Sequence, residues 1–244
     1  MTRLLKLSAF AFLFLVALTA TSFVTFKKQT QVNLSGAWKL QDVPNEQVIL
    51  FMNDYVTYTS FNKEGKLFEQ SMGGTYKIDN SRLLASIEFN SAEKELVGQT
   101  IPYPFSLEND VLSITVDGQP TTWKRIDEGA GPLAGVWRIT GRMQEGKVVP
   151  VQQSGTRKTV KILTGSRFQW VAMDPGTKEF SGTGGGTFSF AGGKYTETIE
   201  FFSRDNSRVG ASLSFNGKLE NDGWHHSGLS SRGDPIYEIW NKVK

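Results

Sequence analysis

Leu34-Ser35-Gly36-Ala37-Trp38-Lys39-Leu40 recurs as Leu133-Ala134-Gly135-Val136-Trp137-Arg138-Ile139. Further on the match runs without a gap at a constant offset of 112. Gly73-Gly74-Thr75-Tyr76 aligns with Gly185-Gly186-Thr187-Phe188, Ile87-Glu88-Phe89 with Ile199-Glu200-Phe201, and Leu107-Glu108-Asn109-Asp110 with Leu219-Glu220-Asn221-Asp222. An ungapped match of that length means two copies of one supersecondary plan. Asp127-Glu128-Gly129-Ala130-Gly131-Pro132 lies between them and carries the breakers expected at a boundary. The expected domains are residues 33–127 and 132–244, each large enough to bury a modest core.

The N-terminus belongs to neither copy. Arg3 and Lys6 precede an apolar run from Leu7 to Val24, with small residues Ala20, Thr21 and Ser22 behind its most hydrophobic part. That order is the order of a secretory signal peptide, expected over residues 1–22; an uncleaved anchor is the alternative, because the run is near the lower limit for a membrane span. A leader implies an exported protein of the periplasm, cell envelope or exterior, touching membrane only if the segment is kept. The chain has no cysteine, which excludes disulfides, thiol catalysis, thiolate metal sites and a lipid-bearing cysteine. Arg3 and Lys6 supply two of the three net positive charges, so the mature chain stands at +1. With no clustered basic face in the sequence, nucleic-acid binding is disfavoured.

No segment of ten residues has helical periodicity. Short alternating runs such as Tyr55-Val56-Thr57-Tyr58-Thr59 and Val111-Leu112-Ser113-Ile114-Thr115-Val116 dominate, separated by turn residues. Seven or eight strands per copy on short loops predict an all-β protein of two tandem up-and-down antiparallel barrels, since closure removes exposed edges. Trp38 and Trp137 would plug one end of their barrels. Each copy ends in Trp-x-basic, Trp123-Lys124-Arg125 and Trp240-Asn241-Lys242, so a last-strand cation would lie over the first-strand tryptophan.

On Gly-x-Trp at the start and Trp-x-basic at the end, the chain resembles the lipocalin (calycin) proteins. More closely, it looks like lipocalin-like domains of uncharacterised exported proteins of Bacteroidota. The carrying segments are Gly184-Gly185-Gly186-Thr187, Tyr195 to Phe202, Trp224-His225-His226-Ser227-Gly228 and Glu238-Ile239-Trp240. The resemblance covers both copies, is clearer in the second, and implies a barrel with an interior ligand site.

The duplication also indicates which side chains face inward. Leu112, Ile114 and Val116 share the apolar face of a strand, and the offset puts Trp224 and His226 at the positions of Leu112 and Ile114. His226 is therefore expected inside and His225 outside, either as a ligand or proton-transfer group or as a hydrogen-bonded core histidine. Leu83, Ala85, Ile87 and Phe89 correspond in the same way to Tyr195, Glu197, Ile199 and Phe201. That places Glu197 in an apolar stripe, where a carboxylate needs a partner; His226 is a candidate, and Tyr195 is placed to donate a hydrogen bond. Glu88 and Glu200 face outward and repeat, which suggests a structural role. A bulge would reverse these assignments beyond it.

Alanine and isoleucine in the first copy stand where Glu197 and His226 stand in the second, so any site is expected in the second barrel. Its walls would be Trp170, Tyr195, Phe201 and Trp224, with the first barrel a filled scaffold or a holder of a purely apolar ligand. Gly182 to Thr187 is no phosphate loop, since it lacks the Gly-Lys-Ser/Thr ending. Adjacent strand residues such as His225 and His226 point to opposite faces, so no metal site is expected, nor any cofactor. The leading expectation is a non-catalytic binding protein for a small, mostly apolar ligand. A structural or partner-binding envelope module is the alternative, and a Glu197–His226 acid–base enzyme ranks third.

Overall fold

A computed structural model describes residues 32–151, 155–221, 223–230 and 232–243. The leader expected over residues 1–22 lies outside them. Residues 33–244 form one compact unit. Its first barrel is built from β1 (Gly36–Leu40), β2 (Glu46–Met52), β3 (Tyr55–Asn62), β4 (Leu67–Asp79), β5 (Arg82–Asn90), β6 (Thr100–Glu108), β7 (Val111–Val116) and β8 (Gln119–Asp127). The second copy contributes β9 (Gly135–Gln144), β10 (Lys147–Pro150), β11 (Lys158–Leu163), β12 (Arg167–Asp174), β13 (Glu179–Ala191), β14 (Lys194–Phe202), β15 (Ser212–Glu220), β16 (Gly223–Leu229) and β17 (Pro235–Lys242).

Every strand pairs antiparallel with its neighbours, and both sheets close, β1 onto β8 and β9 onto β17. The result is two tandem eight-strand barrels, an arrangement consistent with a lipocalin-like fold. Tight turns with left-handed backbone connect many of the hairpins: Asn109-Asp110, Asp117-Gly118 and Gly192-Gly193 each have two consecutive residues at positive φ. This is the conformation whose twist matches that of a two-residue hairpin.

The extra strand, β10, has no equivalent in the first copy. The offset between the copies rises from 99 at the first strand to 112 thereafter, and the thirteen additional residues lengthen β9 and fold it back as the β9–β10 hairpin. Gly135 to Arg138 still pair with β11, whereas Gly141 to Gln144 pair with β10 instead. A gap therefore opens in the barrel wall where β9 leaves β11.

One end of each barrel is closed as the sequence predicts. Trp38 and Trp137 are buried, and their indole N–H groups donate to the carbonyls of Leu34 (2.9 Å) and Leu133 (2.8 Å). The Arg125 guanidinium lies 4.0 Å from the Trp38 ring centroid, and the Lys242 ammonium 5.2 Å from that of Trp137. Gly36 is required at this end. Its φ is +113°, and a Cβ would stand 1.9 Å from the Asp127 carbonyl oxygen.

The barrels pack through the outer faces of β2–β5 and β11–β14. Val48, Leu50, Phe61 and Phe89 of the first meet Val160, Ile162, Val171 and Phe201 of the second. The Phe61 and Phe201 rings are 5.0 Å apart, and Phe68 stacks on Phe180 at 6.5 Å. The repeated carboxylates flank this core: Glu88 accepts from Tyr55 Oη (2.6 Å) and Lys158 (2.6 Å), while Glu200 pairs with Lys63 (2.8 Å) and Arg167. Each carboxylate binds a lysine of the other barrel. Their outward, structural assignment agrees with the sequence reading.

The inward assignment of Phe201 is corrected. Gly185 pairs with Phe201 but Gly186 pairs with Ile199, so Glu200 is an extra residue in β14. This bulge turns Phe201 out of the second barrel and into the core between the barrels. The first copy has the same irregularity between Gly73 and Gly74, and Phe89 turns outward with it.

Candidate functional site

Inside the second barrel the sequence has placed charge where the first barrel is apolar. β14 carries Tyr195 and Glu197, β16 carries Trp224 and His226, and β17 carries Glu238 and Trp240. All six point inward, and Tyr195, Glu197, Trp224, His226 and Trp240 are buried. The inward positions of Glu197 and His226 match the sequence reading, and His225 faces outward, where its Nδ1 lies 2.8 Å from Tyr237 Oη.

Glu197 and His226 do not partner each other. Glu197 is paired with Lys161 of β11, a residue the sequence reading left unassigned. Its Oε1 also accepts from Tyr195 Oη at 2.8 Å. Burial first, and then the Glu197 charge, push the Tyr195 phenol well above its ordinary value, so it stays a donor. The Lys161 ammonium lies 4.9 Å from the Tyr195 ring centroid, 5.2 Å from Trp224, 5.3 Å from Phe168 and 5.8 Å from Trp240. Four rings around one cation form an aromatic cage, here occupied by the protein's own side chain.

His226 faces Glu238 instead, with Nδ1 3.5 Å from Oε2. Glu238 also accepts from the Trp240 indole at 3.0 Å. Burial would raise the Glu238 carboxyl, but the His226 hydrogen bond, the Lys161 charge and the Trp240 hydrogen bond hold it below its ordinary range. Burial lowers His226 below its ordinary value, and Lys161 adds to the effect against the opposing pull of Glu238 and Glu197. The imidazole is therefore neutral near pH 7, and its buried Nε2 has no hydrogen-bond partner among the described residues.

Above the cage a cavity of about 260 Å³ is lined by Lys161, Trp170, Glu197, His226 and Glu238 among others. Trp170 stands on this wall. Tyr195 and Trp224 form part of the cage and do not line the cavity, while Phe201 is outside the barrel.

Of the two expectations for the first barrel, a filled scaffold or a holder of an apolar ligand, the filled scaffold is corrected. Ile49, Ala85 and Ile114 hold the positions of Lys161, Glu197 and His226, and the interior around them is a cavity of about 560 Å³. Its walls include Phe51, Val56, Leu83, Ile87 and Trp123. Polar groups are confined to a few positions: Tyr58 donates to Gln47 at 2.9 Å, Thr121 accepts from the Trp123 indole at 2.9 Å, and Gln70, Asn90, Glu93 and Asp117 also line the cavity. Smaller side chains leave room that the second barrel fills with its ion pair and cage. Compared with known proteins, the chain matches no family model and no curated sequence.

The ion pair generates a reciprocal prediction. Lys161→Ile alone leaves Glu197 buried without its cation and should destabilise the protein by about 3–5 kcal/mol. Lys161→Ile with Glu197→Ala restores the residues of the first barrel and should recover at least half of that loss in urea denaturation. A double variant no more stable than the single one would contradict the pairing.

The histidine predicts a pH dependence. Its folded-state pKa lies below the unfolded value near 6.5, so the stability it contributes is present above about pH 6.5 and is lost as the pH falls toward the folded value. His226→Asn should flatten the fall in unfolding free energy between about pH 7 and 5.5, and His225→Asn should leave it in place. An unchanged slope in His226→Asn would rule out a neutral buried imidazole.

Proposed function

We propose that the chain is an exported, non-catalytic binding protein that takes a compact, mostly apolar molecule into its first barrel. The observation carrying this reading is the cavity of about 560 Å³, walled by Ile49, Phe51, Ala85, Ile87 and Ile114. That volume falls within the roughly 300–1,000 Å³ of small-molecule sites, and the pattern of apolar walls with a few fixed polar groups is the pattern such sites share. Gln47 and Gln70 favour a ligand with a neutral hydrogen-bonding end, and Glu93 and Asp117 disfavour an anionic one. Export is supported by the charged, apolar, small-residue order of the first 22 residues and by the resemblance to exported Bacteroidota proteins.

A second reading keeps the ligand in the second barrel, on the strength of the unpartnered His226 Nε2 beside a cavity of about 260 Å³. That volume suits a smaller molecule with a hydrogen-bond donor. An acid–base enzyme has lost its geometric support, because Glu197 is engaged by Lys161 and Tyr195 while His226 faces Glu238.

Titration of the full chain with the neutral fluorophore N-phenyl-1-naphthylamine tests the first reading. Saturable enhancement is expected. Ala85→Phe, which projects a ring into the first cavity, should weaken it by about tenfold or more, and His226→Leu should not change it. Loss of binding in His226→Leu with retention in Ala85→Phe would move the site to the second barrel.

A further inference from the structure

The gap where β9 leaves β11 is a groove of about 630 Å³ whose lining includes Arg138, Arg142, Arg157 and Lys158. We propose that this groove binds a multiply charged tetrahedral oxyanion, the phosphate or sulfate group of a small molecule.

The internal duplication supplies the argument. In the first barrel Lys39, the equivalent of Arg138, forms an ion pair with Glu46 at 2.7 Å. The residue equivalent to Glu46 in the second barrel is Lys158, and the sheet register agrees: Lys39 opposes Val48 as Arg138 opposes Val160. An acid has become a base, so Arg138 has lost its built-in counter-ion. The hairpin insertion then adds Arg142 to the same groove, and Arg157 enters it just ahead of β11.

Three nearby acids are committed elsewhere. Glu88 holds Lys158 on the side facing the first barrel. Asp174 accepts from Thr156 and, at 3.1 Å, from the Gly176 amide. Glu238, the cross-strand neighbour of Arg142, turns its carboxylate to His226 and Trp240. Glu145 is exposed at the hairpin turn. Among the described residues none forms an ion pair with Arg138, Arg142 or Arg157.

The Arg138 Nε is buried, and it too has no acceptor among the described residues. A guanidinium N–H withdrawn from water without an acceptor is costly, and an oxyanion bound to the Arg138 guanidinium would offset that cost. Three guanidinium groups line this one groove, and their planar forks suit the oxygens of phosphate or sulfate. An ordinary solvated surface explains exposed Arg142 but not buried Arg138 Nε.

Calorimetric titration of the full chain with pyrophosphate at low salt tests the groove. Parallel co-sedimentation with phosphatidylglycerol vesicles distinguishes a free phosphate from a lipid headgroup. Pyrophosphate should bind with an affinity that falls as salt rises. Arg138→Gln and the exposed Arg142→Gln should each weaken it by about tenfold, while Arg82→Gln, on a different hairpin, should not. Vesicle binding that Arg142→Gln abolishes and pyrophosphate competes away would support the same groove with a lipid as the source. Absence of both interactions, or binding insensitive to Arg138→Gln and Arg142→Gln, would overturn the proposal.

Discussion

The ammonium of Lys161 lies inside the second barrel, where a charge is stable only if its surroundings answer it. Glu197 provides the opposite charge, Tyr195 holds the carboxylate in place, and Phe168, Tyr195, Trp224 and Trp240 turn their rings toward the cation. These groups use most of the interior. The first barrel has no such charge at Ile49, so it needs no carboxylate at Ala85 and no cage. Smaller side chains at Val56, Leu83, Ala85, Leu112 and Ile114 leave the first barrel the larger cavity.

The two copies also divide electrostatic roles at their openings. Glu93 and Asp117 line the cavity of the first barrel, and no lysine or arginine among the described residues lines it with them. In the second, the groove beside the barrel gathers Arg138, Arg142 and Arg157 around a thirteen-residue insertion. Duplication gave one architecture, and substitutions at equivalent positions gave it two chemistries. The barrels remain one body because their outer faces share a phenylalanine-rich core and exchange the Glu88–Lys158 and Glu200–Lys63 ion pairs.

Much of this was legible in the sequence. The Gly-x-Trp and Trp-x-basic pairs located the barrel ends, and strand alternation placed His226 inside because the β15–β16 ladder runs in unbroken register past it. Glu197 was placed correctly for the same reason, being on the near side of the bulge in β14. Beyond the bulge alternation failed, and Phe201 was assigned to the wrong face. The signal was present in the repeated Gly-Gly and the repeated glutamate opposite it, but a bulge has no side-chain period to read.

Lys161 was missed although the 112-residue offset aligns it with Ile49, since its strand Lys158–Leu163 is buried on both faces and shows no clean alternation. The first cavity ranks second in the sequence, behind a filled scaffold, for a different reason. Apolar residues at inward positions fix a face, but whether they meet across a barrel depends on volume, which periodicity does not carry.

The most direct measurement is a crystal structure of the full chain grown with N-phenyl-1-naphthylamine. The account predicts the fluorophore between Ile49, Ala85 and Ile114, with Lys161 still paired to Glu197 in its cage. Fluorophore in the second barrel with Lys161 displaced, or a first barrel closed by its own side chains, would contradict it.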